Sequence, residues 1–200
     1  MPRNMTSKDI SVITECAKRY AENLCNRNLL FFYRRGKVQE RLEVAFYSRN
    51  YSHLTGVIHT GISSELFYTY CLNNRIDARK LQMAPDGTTV LKLSVINALM
   101  RGDLSARMIG IYDGSRPMLY TEVLAGGVKG CIGFCKDKNG IFVPNTLLKG
   151  DIRDISQECF RVECILRKAV QDKEYTDVVY TAKGVQEPVL PVSWIDRPIP

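Results

Sequence analysis

The sequence predicts an α+β fold, with a helical N-terminal half that carries a β-hairpin and an antiparallel β-sheet after it. Three observations predict it. In the first hundred positions apolar residues recur mostly at three- and four-residue steps, the period of a helix buried on one face. From Arg107 onward the apolar runs shorten and alternate with turn chemistry. The helix–strand alternation of a doubly wound parallel sheet is missing, as is any Gly-x-Gly-x-x-Gly or P-loop pattern.

The elements are taken in chain order. From Thr6 the residues Ile10, Ile13, Ala17, Tyr20 and Leu24 form one helical stripe, and Thr6 with Asp9 three positions on makes a capping pair. Leu29–Tyr33 and Val38–Phe46 flank Arg34-Arg35-Gly36-Lys37 as a β-hairpin; in its second arm Val38, Leu42, Val44 and Phe46 alternate with polar residues. Residues 50–72 read as mainly helical with a break near Thr60-Gly61 and a restart cap at Ser63 or Ser64. After Pro85-Asp86-Gly87, Leu91, Val95 and Leu99 mark a helix from about Thr89 to Met100. The runs Arg107–Tyr112, Met118–Leu124, Gly130–Cys135 and Ile141–Val143 read as strands separated by Asp113-Gly114-Ser115, Gly126-Gly127 and Asp137-Lys138-Asn139-Gly140. Asp151–Gln157 suits one helical turn, and Arg161–Lys168 with Tyr175–Thr181 forms a final strand pair.

Two hundred residues suit one domain with a real core, placed at 1–186. The tail 187–200 holds four of the eight prolines and is expected to be extended. Lys plus Arg number 28 against 21 Asp plus Glu, giving a net charge of +7 and favouring an anionic partner. The start, MPRNMTSKDI, lacks the apolar core of a secretory signal, and no run is long enough to span a membrane. The seven cysteines are odd in number, contain no C-x-x-C and sit mostly among apolar residues, which suits a reducing compartment. A cytoplasmic chain is expected, with no membrane partner.

Several stretches resemble one known family. They are His53-Leu54-Thr55-Gly56 after Ala45-Phe46-Tyr47, then Gly133-Phe134, then Phe142-Val143-Pro144-Asn145-Thr146-Leu147-Leu148-Lys149 with Asp151-Ile152-Arg153 close behind, and finally Tyr180-Thr181-Ala182-Lys183-Gly184. Together they resemble the phage-associated nuclease-like family of the barnase–EndoU–colicin–RelE group, small proteins of Gram-positive bacteria and their mobile elements. The resemblance covers roughly residues 10–185. It implies a helical N-terminal part, a curved antiparallel sheet that holds the active cleft, and metal-independent RNA cleavage. Expected partners are RNA and a protein inhibitor or antitoxin.

Metal-free cleavage needs a base for the 2′-OH, an acid for the departing 5′-oxygen, and donors for charge building on phosphate. Acidic residues are scattered without paired-ligand spacing, so neither a metal nor another cofactor is expected. His53 is the candidate base or acid; its plain alternative is an imidazole satisfied by backbone at a helix start. On a continuous helix His59 would be rotated from His53 by about 240°, which predicts a surface or linker role for it. Lys149 and Arg153 are candidates for binding the phosphate, against the alternatives of a solvated lysine and an arginine paired with Asp151 or Asp154. Asn145, Thr146, Tyr180 and Lys183 are candidate substrate contacts, although Asn145 and Thr146 also suit a turn or cap. Arg34, Arg35 and Lys37 suit either an RNA grip or a solvated hairpin tip, and Tyr33, Tyr47 or Tyr51 is a candidate base-stacking platform. The rival to an enzyme is a catalytically inactive RNA- or protein-binding module of the same fold. A third reading is an enzyme acting on a small anionic ligand.

Overall fold

The capping pair at Thr6 is present, and the helix it opens, α1, spans Ser7–Asn23. The computed structural model describes residues 4–112, 114 and 119–185. The proline-rich tail 187–200, Met118, and parts of the turn after Tyr112 lie outside them. The hairpin comes next as β1 (Arg27–Arg35) and β2 (Val38–Phe46). After it lie α2 (Asn50–Thr55), β3 (Val57–His59), α3 (Ser64–Leu72), β4 (Leu81–Met83) and α4 (Thr88–Leu99). The second half holds β5 (Met108–Tyr112), β6 (Val123–Gly126), β7 (Gly130–Lys136), β8 (Phe142–Lys149), α5 (Ile152–Ile155), β9 (Ser156–Ala169) and β10 (Asp177–Thr181). Among the described residues this is an α+β arrangement of five α-helices with one large eight-stranded sheet. No helix among them is long and apolar enough to cross a membrane.

The sheet order is β1-β2-β8-β7-β6-β5-β9-β10, and β9 also pairs with β1. Seven strands therefore close into a ring, with β10 added on β9. The long β9 makes this possible, pairing with β5 through Ser156–Arg161 and with β1 through Val162–Ala169. Closure also explains the unbroken apolar run of β1. Leu29, Phe31 and Tyr33 face the main core, while Leu30 and Phe32 pack with Cys164, Leu166 and Tyr175 on the other side. A strand covered on both faces has no reason to alternate. The ring is held least at β2–β8, a parallel pairing with the single register pair Val44↔Phe142.

Helices α1 to α4 share the main core with one face of the sheet. Tyr20, Phe46, Tyr51, Phe67 and Phe134 are fully buried there, and Phe134 meets Phe46 edge-on with ring centroids 6.0 Å apart. A smaller cluster on the opposite face joins Tyr112, Leu124 and Cys131 to Ile152 of α5.

The largest departure from the expected pattern falls in residues 50–72. The helix stops at Gly56, four residues before Thr60-Gly61, because Gly56 takes a left-handed φ of 65° and its amide donates to the Ser52 carbonyl. The chain then runs extended and pairs with β4, the strands contributing three residues each. A strand of three residues is too short to show alternation, so neither is visible as a period.

Candidate functional site

The segment Asn50–Gly56 is tied down at nearly every residue. Asn50 accepts from the Tyr47 amide and donates to the Pro144 carbonyl of β8. The Tyr51 hydroxyl donates to the Ile13 carbonyl of α1 at 2.5 Å, and Leu54 is fully buried. Thr55 Oγ1 donates to the Ser52 carbonyl and accepts from the Val57 amide. Thr89 of α4 closes the segment from outside, its Oγ1 donating to the Gly56 carbonyl and accepting from the Ala84 amide. Replacing Thr89 with valine keeps the shape but strands both backbone groups. It is expected to cost about 1–3 kcal/mol, read as a lower Tm.

One side chain escapes this network. His53 is exposed, and its imidazole makes no hydrogen bond among the described residues. Lys92 of α4, half-buried, lays its Nζ on the His53 carbonyl at 2.7 Å. Gly56 makes room for it, since a Cβ there would lie 2.8 Å from Lys92 Cδ. Desolvation first, then the charges of Lys92 and His59, hold the His53 pKa below its ordinary 6.5. Burial likewise lowers Lys92 from its ordinary amine value, and Asp86 opposes the shift. Substituting Lys92 with methionine should therefore raise the His53 pKa toward 6.5 without reaching it, because the larger desolvation remains. An NMR titration of the His53 ring proton checks this; an unchanged or lower pKa would contradict the assignment.

His59 differs from expectation. The break at Gly56 removes the continuous helix on which the rotation argument stood. On β3 its Nε2 lies 3.0 Å from Ser52 Oγ, and its ring stacks on Phe67 at 4.9 Å. Its Nδ1 is buried without a partner among the described residues. It is half-buried and close enough to act electrostatically on His53.

The other candidates scatter. Lys149 ends β8 opposite Gly130; it is exposed and makes no side-chain hydrogen bond or ion pair among the described residues. Leu147 belongs to the helix-covered core and Leu148 to the opposite cluster, so strand alternation returns Lys149 to the helix side that also carries His53. Arg153 sits on α5, packed against the opposite face, and grips Asp151 with two guanidinium nitrogens. The structure does not bring it to His53.

Asn145 Nδ2 donates to the Tyr120 carbonyl. Thr146 is buried against Gly133, where a Cβ would lie 2.9 Å from its methyl. Tyr180 on β10 lies under the Arg107 guanidinium at 4.0 Å, and Lys183 is exposed beyond it.

Two of the three hairpin-tip cations are engaged elsewhere. Arg34 Nε donates to the buried Glu163 at 2.8 Å, and Arg35 pairs with Glu158 and covers Phe160. Arg34's hydrogen bond lowers the Glu163 pKa. Among the stacking candidates, Tyr33 and Tyr51 are buried. Tyr47 is half-buried with Arg49 over one face at 4.4 Å.

The arrangement therefore offers an exposed imidazole on a rigid mount, an ammonium on the same residue's backbone carbonyl, and a second imidazole near enough to act on its charge. Ser52, His59, Lys92 and Thr89 carry no mark of this site in the sequence pattern. Gly56 was the available signal for His59, since a glycine ending a short helix releases the next residues from the helical period. Lys92 lies 39 positions from His53 and has no local signal.

A family model described as phage-Barnase-EndoU-ColicinE5/D-RelE like nuclease4 matches residues 12–184. No curated protein and no solved structure matches the chain.

Proposed function

The chain belongs to the phage-Barnase-EndoU-ColicinE5/D-RelE like nuclease4 family, and from that premise we propose that it is a metal-independent endoribonuclease with His53 as its general acid–base. The observation that carries this reading is the exposed imidazole, without a hydrogen bond among the described residues, on a segment otherwise fixed by hydrogen bonds and burial. A reacting group must be free to meet substrate while its mount stays still.

The lowered pKa keeps His53 neutral at pH 7, the form that accepts a proton. In the proposed cycle its ring nitrogen takes the 2′-OH proton as that oxygen attacks phosphorus. The P–O5′ bond then breaks, and the imidazolium returns the proton to the departing oxygen. The products are a 2′,3′-cyclic phosphate and a free 5′-hydroxyl. Lys92 places positive charge beside the imidazole, where negative charge grows on the phosphate. Lys149, on the same side of the sheet and without a partner among the described residues, is proposed as a second cation for the strand. Arg153 is given a structural role, since Asp151 already holds its fork.

The test is incubation of purified protein with RNA in EDTA, with end-group analysis. Cyclic phosphate ends are expected. Cleavage that requires added Mg²⁺, or 5′-phosphate ends, would overturn the mechanism. One observation favours a second reading: no carboxylate hydrogen-bonds the His53 ring to orient it, among the described residues. A non-catalytic RNA-binding module of the same fold would show salt-sensitive gel shifts and no cleavage.

A further inference from the structure

A groove of about 410 Å³ lies along α4 beyond Lys92. Val95 and Leu99 of α4 and Met108 of β5 make apolar walls, and the turn from Gly127 to Gly130 closes the far side. Arg107 and Lys129 are its cations, and no carboxylate among the described residues lines it. Gly130 permits the close approach of turn and helix, because a Cβ there would sit 3.2 Å from Val95 Cβ and 3.0 Å from the Leu148 carbonyl. Arg107 is ion-paired with the buried Asp103 at 3.0 Å and lies over the Tyr180 ring, so its charge is partly neutralised and Lys129 is the groove's main cation. Lys129 is exposed and makes no side-chain bond among the described residues; the amides of Val128 and Lys129 likewise have no backbone acceptor there. Lys149, opposite Gly130 across the β7–β8 ladder, adds a further cation at the edge.

We propose that this groove is a subsite for a nucleotide next to the scissile phosphate of a single-stranded RNA, the base against the apolar walls and its phosphate toward Lys129 and Arg107. The inference rests on the ribonuclease reading and deepens it. Nucleobases present apolar faces beside a charged backbone, which is the combination found here. A pocket of this volume suits one small ligand group rather than an extended surface. Position supplies the link to His53. Lys92 reaches the His53 carbonyl, while Val95 and Ala98 of the same helix line the groove. The axial rise from Lys92 to these residues is about 5–9 Å, the reach of an adjoining nucleotide. An apolar protein side chain would find the walls but gain nothing from Lys129 and Arg107 at the rim.

The test uses a fluorescent, non-cleavable 2′-O-methyl RNA oligonucleotide and the full chain, with anisotropy as the readout. Ala98→Trp fills the groove and Lys129→Glu reverses its charge without touching the core. Each is expected to weaken binding about tenfold or more, and Lys129→Glu should also reduce the salt dependence. Lys138→Glu makes the same charge change in the turn at the other end of β7 and should alter affinity less than about twofold. A thiouridine-bearing strand should crosslink to α4 or to the 127–130 turn. Wild-type affinity in both groove variants, or an equal loss in Lys138→Glu, would overturn the subsite. If RNA is cleaved but the groove variants bind normally, the subsite fails and the ribonuclease reading stands. If RNA binds in the groove and is never cleaved, the catalytic reading fails and with it the place beside a scissile phosphate, and the groove stands only as a nucleotide-binding site. Absence of RNA binding overturns both.

Discussion

Replacing His53 with alanine is expected to lower RNA cleavage in EDTA by about 10²–10⁴-fold, the usual contribution of a positioned acid–base group. The fold should persist, because the imidazole is exposed and the bonds that fix the segment belong to Asn50, Tyr51, Thr55 and Thr89. A Tm close to wild type together with the lost activity is therefore the expected signature. The pH profile gives a second readout. A base must be deprotonated to act, so kcat/KM should fall as pH drops through the His53 pKa. That limb should lie below the ordinary 6.5, because burial, Lys92 and His59 all disfavour the charged ring. In the Lys92→Met variant the limb should move to higher pH, since one of the disfavouring charges is gone. Equal activity in wild type and His53→Ala would remove His53 from the mechanism. Retained activity with an unshifted limb in Lys92→Met would remove the electrostatic coupling between them.

Truncating Phe134 to alanine is expected to destabilise the protein by about 3–5 kcal/mol, measured by denaturant or thermal unfolding. Phe134 is fully buried in β7 and packs edge-on against Phe46 at the end of β2. These strands lie on either side of β8, and the β2–β8 join has only one register pair. With few hydrogen bonds at that join, side-chain packing across it carries much of its strength. Removing the ring leaves a cavity that the closed sheet is poorly able to collapse, which places the expected cost at the upper part of the range. A loss under about 1 kcal/mol would show that the join relaxes easily and that packing there is not what holds the ring closed.

Much of the local structure was readable. The stripe Ile10–Leu24 with the Thr6–Asp9 pair locates α1, and the alternation in Val38–Phe46 locates β2, because each buries one face of a regular element. The later strands were readable as short runs between turns, though not their ends. The expected Arg161 start of β9 falls five residues after the observed Ser156. Gln157 falls in the expected helical turn Asp151–Gln157 and Glu158 in no expected element, yet the β5 ladder holds that stretch extended. Tertiary pairing overrode the local pattern there.

The site was legible only in part. The chain itself marks His53 as one of two histidines, and the stretches from His53 to Gly184 point to the family that the match over residues 12–184 then identifies. From the sequence both Lys149 and Arg153 are candidates, Lys149 ahead of Arg153, but nothing in their spacing says on which face of the fold either lies. The sheet does separate them, since alternation along β8 sends Lys149 toward the helices while α5 packs Arg153 on the other face. Lys92, Thr89 and His59 join His53 only because Gly56 ends a helix early and α4 folds back across it. Period, capping and turn chemistry are properties of neighbours along the chain, so the sequence by itself determined most of the elements, though not β3 and β4, together with the family and the titratable residue of interest. Which cation stands beside that residue is a property of neighbours in space. It was decided when strands and helices distant in sequence packed together.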